Sequence, residues 1–256
     1  MSKQRSAQRN NTNKKYQLHL ATNTTHATSG NVSKISTATN TKFKRIELLP
    51  KSISQENLIL NLIDPTCYVT IAVGPAGTGK SYLATLAALK NLKEGSCEKI
   101  ILTRPAVGVE EEKHGFLPGD LVSKMEPWTR PLLDIMKEFY SPQQIKQMIE
   151  DEVIEIAPLA FMRGRTFKNA WIIADEMQNA TPNQLKMLLT RIGENSKIVV
   201  TGDIEQTDKT KSHNGLLDLV TRLDQSQHEG LRVTTFQDSD IQRHHIISTV
   251  LKLYSD

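Results

Sequence analysis

Apolar and polar positions alternate along this chain in blocks that read as strands and helices in turn. Six short apolar runs stand out: Tyr68-Val-Thr-Ile-Ala-Val73, Lys99-Ile-Ile-Leu-Thr103, Val153-Ile-Glu-Ile-Ala157, Ala170-Trp-Ile-Ile-Ala174, Lys197-Ile-Val-Val-Thr201 and Leu231-Arg-Val-Thr-Thr235. They are short, rich in β-branched residues and bounded by polar or small residues, as buried parallel strands are. Between them the apolar positions take helical spacing. Leu58, Ile59, Leu62 and Ile63 cluster on one face of a segment predicted helical over 50–63. Tyr82 to Leu89 is rich in Ala and Leu, which favour helix. Further helices are predicted at about 127–139 and 142–150, at 182–192 with Thr181 as cap, and at 239–253. Leu117-Pro-Gly119 reads as a turn.

Strands alternating with helices predict an α/β fold: a mostly parallel sheet with helices on both faces. Such sheets bind ligands at the carboxyl ends of their strands. Every polar motif described below follows a strand end. There is no internal repeat.

The first 45 residues break the pattern. They are rich in Asn, Thr, Ser and Lys, with few large apolar groups, and are expected to be a disordered arm ahead of a folded domain at 46–256. The arm carries nine basic residues and no acid, whereas the rest holds 23 basic and 28 acidic residues, a net of −5. A basic arm of this kind suits nucleic acid, or is simply a solvated tail. No run approaches the roughly 20 apolar residues of a membrane span, so no membrane contact is expected. Cys67 and Cys97 are far apart in sequence and match no metal-binding spacing. Both are expected to be reduced core residues of a cytoplasmic protein.

The strongest chemical signal follows the first strand. Gly74, Pro75, Ala76, Gly77, Thr78, Gly79, Lys80 and Ser81 form a complete phosphate loop of the Walker A kind, with Tyr82 opening the helix beyond it. Glycines let the backbone curl so that several N–H groups face phosphate oxygens. Lys80 is expected to reach the β- and γ-phosphates, and the Ser81 hydroxyl to ligate Mg²⁺. A P-loop NTPase with ATP and Mg²⁺ as ligands is the reading.

Two later strand ends complete the constellation. Trp171-Ile-Ile-Ala174 runs into Asp175 and Glu176, the Walker B pattern, in which Asp175 holds the metal and Glu176 polarises the attacking water. Lys197 to Thr201 runs into Gly202, Asp203 and Gln206, and Gln206 is a candidate to sense the γ-phosphate or orient that water. Arg104 ends the second strand and suits a phosphate, of ATP or of a bound strand. Aromatic content is only 5%, so no broad base-stacking platform is expected; Trp128 and Phe161 are candidates for single stacking residues, with core packing the favoured reading for both.

Arg163-Gly-Arg165-Thr166 ahead of the Walker B strand, Asp175-Glu-Met-Gln178-Asn179 after it, and Thr201-Gly-Asp203 through Gln206 together resemble the PhoH family, ATP-binding proteins often called phosphate-starvation-inducible. The resemblance covers about residues 46 to 253 and leaves the arm unexplained. It implies a fold like the first motor domain of superfamily-one helicases. It also implies ATP hydrolysis, engagement of RNA or single-stranded DNA, and homo-oligomeric ring assembly, with a hexamer as the suggested size. It places Gln55 where the family reads the adenine edge. Arg104, Arg163 and Arg165 are candidates for a nucleic-acid patch. The chain has room for one motor lobe, so a second copy would have to supply an arginine finger, for which Arg243 is favoured. A nucleotide-gated oligomeric binding module with little turnover is the alternative reading.

Overall fold

The computed structural model describes residues 45–105, 121–206, 214–224 and 228–242, with side chains of the helix that starts at Leu121 placed from Thr129 onward. Six strands form one sheet: β1 (Val69–Val73), β2 (Lys99–Thr103), β3 (Ile154–Ile156), β4 (Ala170–Ala174), β5 (Lys197–Gly202) and β6 (Leu231–Thr235). Their order is β3-β2-β4-β5-β1-β6, and every pairing is parallel. Parallel neighbours need crossovers, which the helices provide. These are α1 (Ile53–Ile63), α2 (Lys80–Lys93), α3 (Leu121–Met136), α4 (Pro142–Glu150), α5 (Pro182–Leu189) and α6 (Gly215–Asp224).

Strand residues alternate between two apolar layers, as a period of two requires. Ile100, Leu102, Ile173 and Val199 pack with Leu58 and Leu62 of α1, Leu86 and Leu89 of α2, and Leu132 and Met136 of α3. Ile101, Ile172, Ile198 and Val200 face the other way, onto Leu185 and Leu188 of α5 and Leu216 of α6. The sheet is therefore covered on both faces, and the expected α/β architecture holds.

Some element bounds differ from expectation, for local reasons. The helix expected from 50 begins at Ile53, because Ser52 is extended (φ −149°, ψ 166°) and its side chain caps the Gln55 N–H. The helix expected through 192 stops at Leu189, since Ile192 is drawn into a parallel bridge with Phe167. The helix expected at 127–139 runs over Leu121–Met136 instead. Helix α6 was not expected at all. Of the terminal helix expected at 239–253, the described part is a single 3₁₀ turn at Asp238–Asp240. Residues 243–253 lie outside the described residues, as do residues 1–44 of the arm and the Leu117-Pro-Gly119 turn.

Both cysteines are buried and unpaired. Burial pushes the Cys97 thiol up to about 11, so it is protonated at neutral pH. Among the described residues no helix is long and apolar enough to cross a membrane.

Candidate functional site

The loop after β1 folds as its glycines allow. Gly74 has φ +134°, and a Cβ there would lie 2.5 Å from the Phe236 carbonyl oxygen that closes on it from the far end of β6. Gly79 has φ +88° and caps α2, where a Cβ would meet the Gln55 amide nitrogen at 2.9 Å. Neither position has room or backbone freedom for another residue. α2 begins at Lys80, so its unpaired N–H groups and partial positive charge open into the loop. The Lys80 ammonium donates to the carbonyls of Gly74 (2.6 Å) and Pro75 (2.7 Å) and to Thr78 Oγ1 (3.2 Å). It is thereby kept at the centre of the loop.

The strand order brings the second half of the site alongside. β5 lies between β1 and β4, so the tips of β1, β5 and β4 meet. Ser81 Oγ donates to Asp175 Oδ1 at 2.7 Å, and Thr201 Oγ1 donates to the same oxygen. Two hydroxyls from two elements thus orient the Asp175 carboxylate. Glu176 is left-handed (φ 55°, ψ 39°). For a non-glycine residue this costs about 1–3 kcal/mol, a strain typical of functional positions. Its carboxylate accepts from the Gln178 amide at 2.5 Å, and the Gln178 oxygen accepts the Asp203 N–H at 3.1 Å. Gln178 is buried and ties the tip of β4 to the tip of β5.

These groups line one cleft of about 290 Å³. Ala76, Gly77, Gly79, Lys80, Ser81 and Tyr82 form one wall, and Asp175, Glu176, Asp203 and Gln206 the other. Pro131, Leu132 and Ile135 of α3 close a side, and Arg104 enters from the tip of β2. The α3 contribution was missed in the sequence, because nothing in its apolar pattern distinguishes a cleft-facing side chain from a core one.

Gln55 lies against the phosphate loop. It is 4% exposed, donates to the Thr78 carbonyl at 2.9 Å and accepts the Lys51 N–H at 2.8 Å. The amide braces the phosphate loop from behind, and its oxygen holds the backbone just ahead of α1. A second brace was not foreseen. The Gln242 N–H donates to the Gly77 carbonyl at 2.9 Å. Asp240 just before it accepts the Gln237 N–H at 2.8 Å and hydrogen bonds from Ser52 and Ser54. Burial pushes the Asp240 carboxyl up, but these hydrogen bonds together outweigh it and hold it below its ordinary value. The Ser-x-x-Gln signature at Ser52–Gln55 carried half of this signal; its partner Asp240 is too distant in sequence to be read.

The three arginines grouped as a nucleic-acid patch have different surroundings. Arg104 lines the cleft. Arg165 is bound bidentately by Glu155 (2.5 and 2.9 Å) and stacks 4.5 Å from the centre of the Phe167 ring. Arg163 is exposed. Phe161, expected in the core, is 56% exposed, because it stands on a short 3₁₀ turn (Leu159–Met162) that turns Leu159 and Met162 inward instead. Arg243 lies outside the described residues.

A covered parallel sheet with a Walker A loop after β1 and a Walker B pair at a neighbouring strand tip defines a P-loop NTPase fold. The model of the PhoH-like protein family matches residues 47–255. The chain belongs to the PhoH-like family. A PhoH-like protein of Synechocystis is 46% identical over 186 residues, 73% of this chain and 56% of that protein. One of Bacillus subtilis is 42% identical, covering 73% and 58%, and Protein PhoH of Escherichia coli K12 is 38% identical, covering 72% and 52%. The chain thus spans about half the length of the curated relatives it matches. Among solved structures, the SWI2/SNF2 ATPase core of Sulfolobus solfataricus in complex with dsDNA aligns with a TM-score of 0.41 at 12% identity, over 78% of this chain and 48% of that one.

Proposed function

We propose that this chain binds ATP with Mg²⁺ and hydrolyses it, as a subunit of a homo-oligomeric ring that engages RNA or single-stranded DNA. The observation that carries the reading is the 2.7 Å contact between Ser81 Oγ and Asp175 Oδ1 beside Lys80 and Glu176. Hard oxygen donors from one hydroxyl and one carboxylate are the protein share that Mg²⁺ takes when substrate phosphates and water supply the rest. Ser81 and Asp175 would hold the ion, which when bound neutralises charge on the phosphate oxygens. Lys80 and the N–H groups at the start of α2 cradle the β- and γ-phosphates. Glu176, held by Gln178, accepts a proton from the attacking water. Gln206, at the mouth of the cleft, is placed to orient that water.

The nucleic-acid part rests on the exposed Phe161 with Arg163 two residues on, a stacking face beside a phosphate-binding cation, and on the basic arm. A cytoplasmic setting fits two buried free thiols. A nucleotide-gated module with little turnover keeps one observation in its favour. Among the described residues the cleft holds one arginine, Arg104, and any second arginine that turnover calls for would have to come from another copy.

Lys80→Ala and Glu176→Gln separate these readings. Hydrolysis predicts that Lys80→Ala loses both ATP affinity and phosphate release. Glu176→Gln should keep affinity and lose release by about 10²-fold or more. Parent protein that binds ATP and releases no phosphate at any protein concentration would favour the gated module.

A further inference from the structure

We propose that Arg104 is a cation for the terminal phosphate, supplied in cis, and not part of a nucleic-acid surface; this rests on the reading of the cleft as a nucleoside triphosphate site. The placement follows from the sheet. β2 pairs with β4 so that Thr103 lies opposite Ala174, and the Asp175 N–H donates to the Thr103 carbonyl at 3.0 Å. Arg104 is therefore fixed beside Asp175 and Glu176 by strand register, and its side chain lines the cleft with them. Lys80 enters from the opposite direction, since β5 and β4 stand between β1 and β2. A triphosphate with its β- and γ-phosphates at Lys80 and Ser81 points its end toward the tip of β4, where Arg104 waits beyond the two acids.

Charge makes the same case. Among the described residues the cleft presents three carboxylates, those of Asp175, Glu176 and Asp203, against two cations, Lys80 and Arg104. Lys80 is committed to the loop that carries it. Arg104 forms no ion pair with any other described residue, unlike Arg165, which Glu155 holds with two bonds. A guanidinium with no carboxylate partner among the described residues, in a cleft rich in acids, has a planar fork of donors suited to phosphate oxygens. A phosphate beyond those held at Lys80 and the start of α2 would be the one within its reach, so Arg104 would distinguish triphosphate from diphosphate.

The test compares full-length parent, Arg104→Ala and Arg104→Lys, with melting curves to establish that the variants fold. Equilibrium binding is measured for Mg²⁺ with a β,γ-imido triphosphate analogue and with ADP, alongside phosphate release from ATP and binding of a single-stranded RNA oligonucleotide across a salt series. The expected result is a loss of analogue affinity of about tenfold or more in Arg104→Ala with ADP affinity retained. Phosphate release falls about 10²-fold. Arg104→Lys recovers part of both, and the RNA salt slope does not move. Equal loss of analogue and ADP would overturn the proposal. So would unchanged nucleotide binding and release with weakened RNA binding and a salt slope smaller by about one, which would return Arg104 to a strand contact. Parent protein that binds neither nucleotide would instead remove the underlying reading of the cleft, an outcome visible before any variant is compared.

Discussion

Gln178 joins the two acidic walls of the cleft by donating to Glu176 and accepting from the Asp203 backbone. Without it, Glu176 keeps its strained left-handed backbone but loses the contact that aims its carboxylate. Gln178→Ala is expected to lower phosphate release by up to about 10²-fold while leaving ATP affinity close to the parent's. Steady-state release and equilibrium titration check both halves; unchanged release would mean that Glu176 is aimed by something else. The Glu155–Arg165 pair makes a prediction of another kind. The Arg165 hydrogen bond, against some desolvation, holds the Glu155 carboxyl below its ordinary 4.5. A carboxyl depressed in the folded state adds stability above its unfolded value and loses it as pH falls through the folded one. Arg165→Ala should therefore destabilise at neutral pH by about 1 kcal/mol or less, since the arginine is partly exposed, and the difference should vanish once the pH is low enough to protonate Glu155 in the folded parent. Urea melts at the two pH values read it. Phe161→Ala belongs to this scale too: it should weaken single-stranded RNA binding by about 1–3 kcal/mol with no change in melting temperature.

At the scale of elements, helix α1 is the support of the phosphate loop. Its start presents Ser52 and Ser54 to Asp240 and Gln55 to Thr78, and its end is closed by Lys197. The Lys197 ammonium donates to the carbonyls of Asn61 (3.0 Å), Leu62 (2.7 Å) and Asp64 (3.0 Å), and lies 5.5 Å from the centre of the Trp171 ring. Lys197→Met is expected to cost about 1–3 kcal/mol by leaving those carbonyls unpaired, measured by denaturant unfolding. The elements also show what a sequence exposes. β2 and β4 fall within the bounds read from their apolar runs, because strands buried on both faces leave an unbroken signal. The phosphate loop and the Asp175–Glu176 pair were legible because their chemistry is local. Helix α6 was not, although Asn214 accepts the Leu217 N–H and so marks its start; the polar stretch before it hid the short amphipathic pattern. The Gln55 and Arg165 contacts were not legible either. Each depends on a partner brought near by the sheet, Thr78 for one and Glu155 for the other.

At the scale of the molecule, the cleft is built at the carboxyl ends of the central strands, with Arg104 as its one described arginine and the segment after β6 clasped to the loop through Gln242. A site completed by a neighbouring copy should show phosphate release per subunit that rises with protein concentration. Specific activity flat from nanomolar to micromolar concentration would argue for a self-sufficient subunit. The basic arm makes a separable prediction: removing residues 1–45 should reduce both RNA affinity and its salt slope, while leaving nucleotide affinity unchanged.

The central claim is that Lys80, Ser81, Asp175 and Glu176 form one triphosphate-hydrolysing centre. Its most direct test is ATP titration and phosphate release on the same Glu176→Gln preparation beside the parent, with Mg²⁺ present. The predicted result is parent-like affinity with release reduced by about 10²-fold or more. Release at the parent's rate, or no ATP binding by the folded parent at millimolar nucleotide, would contradict it.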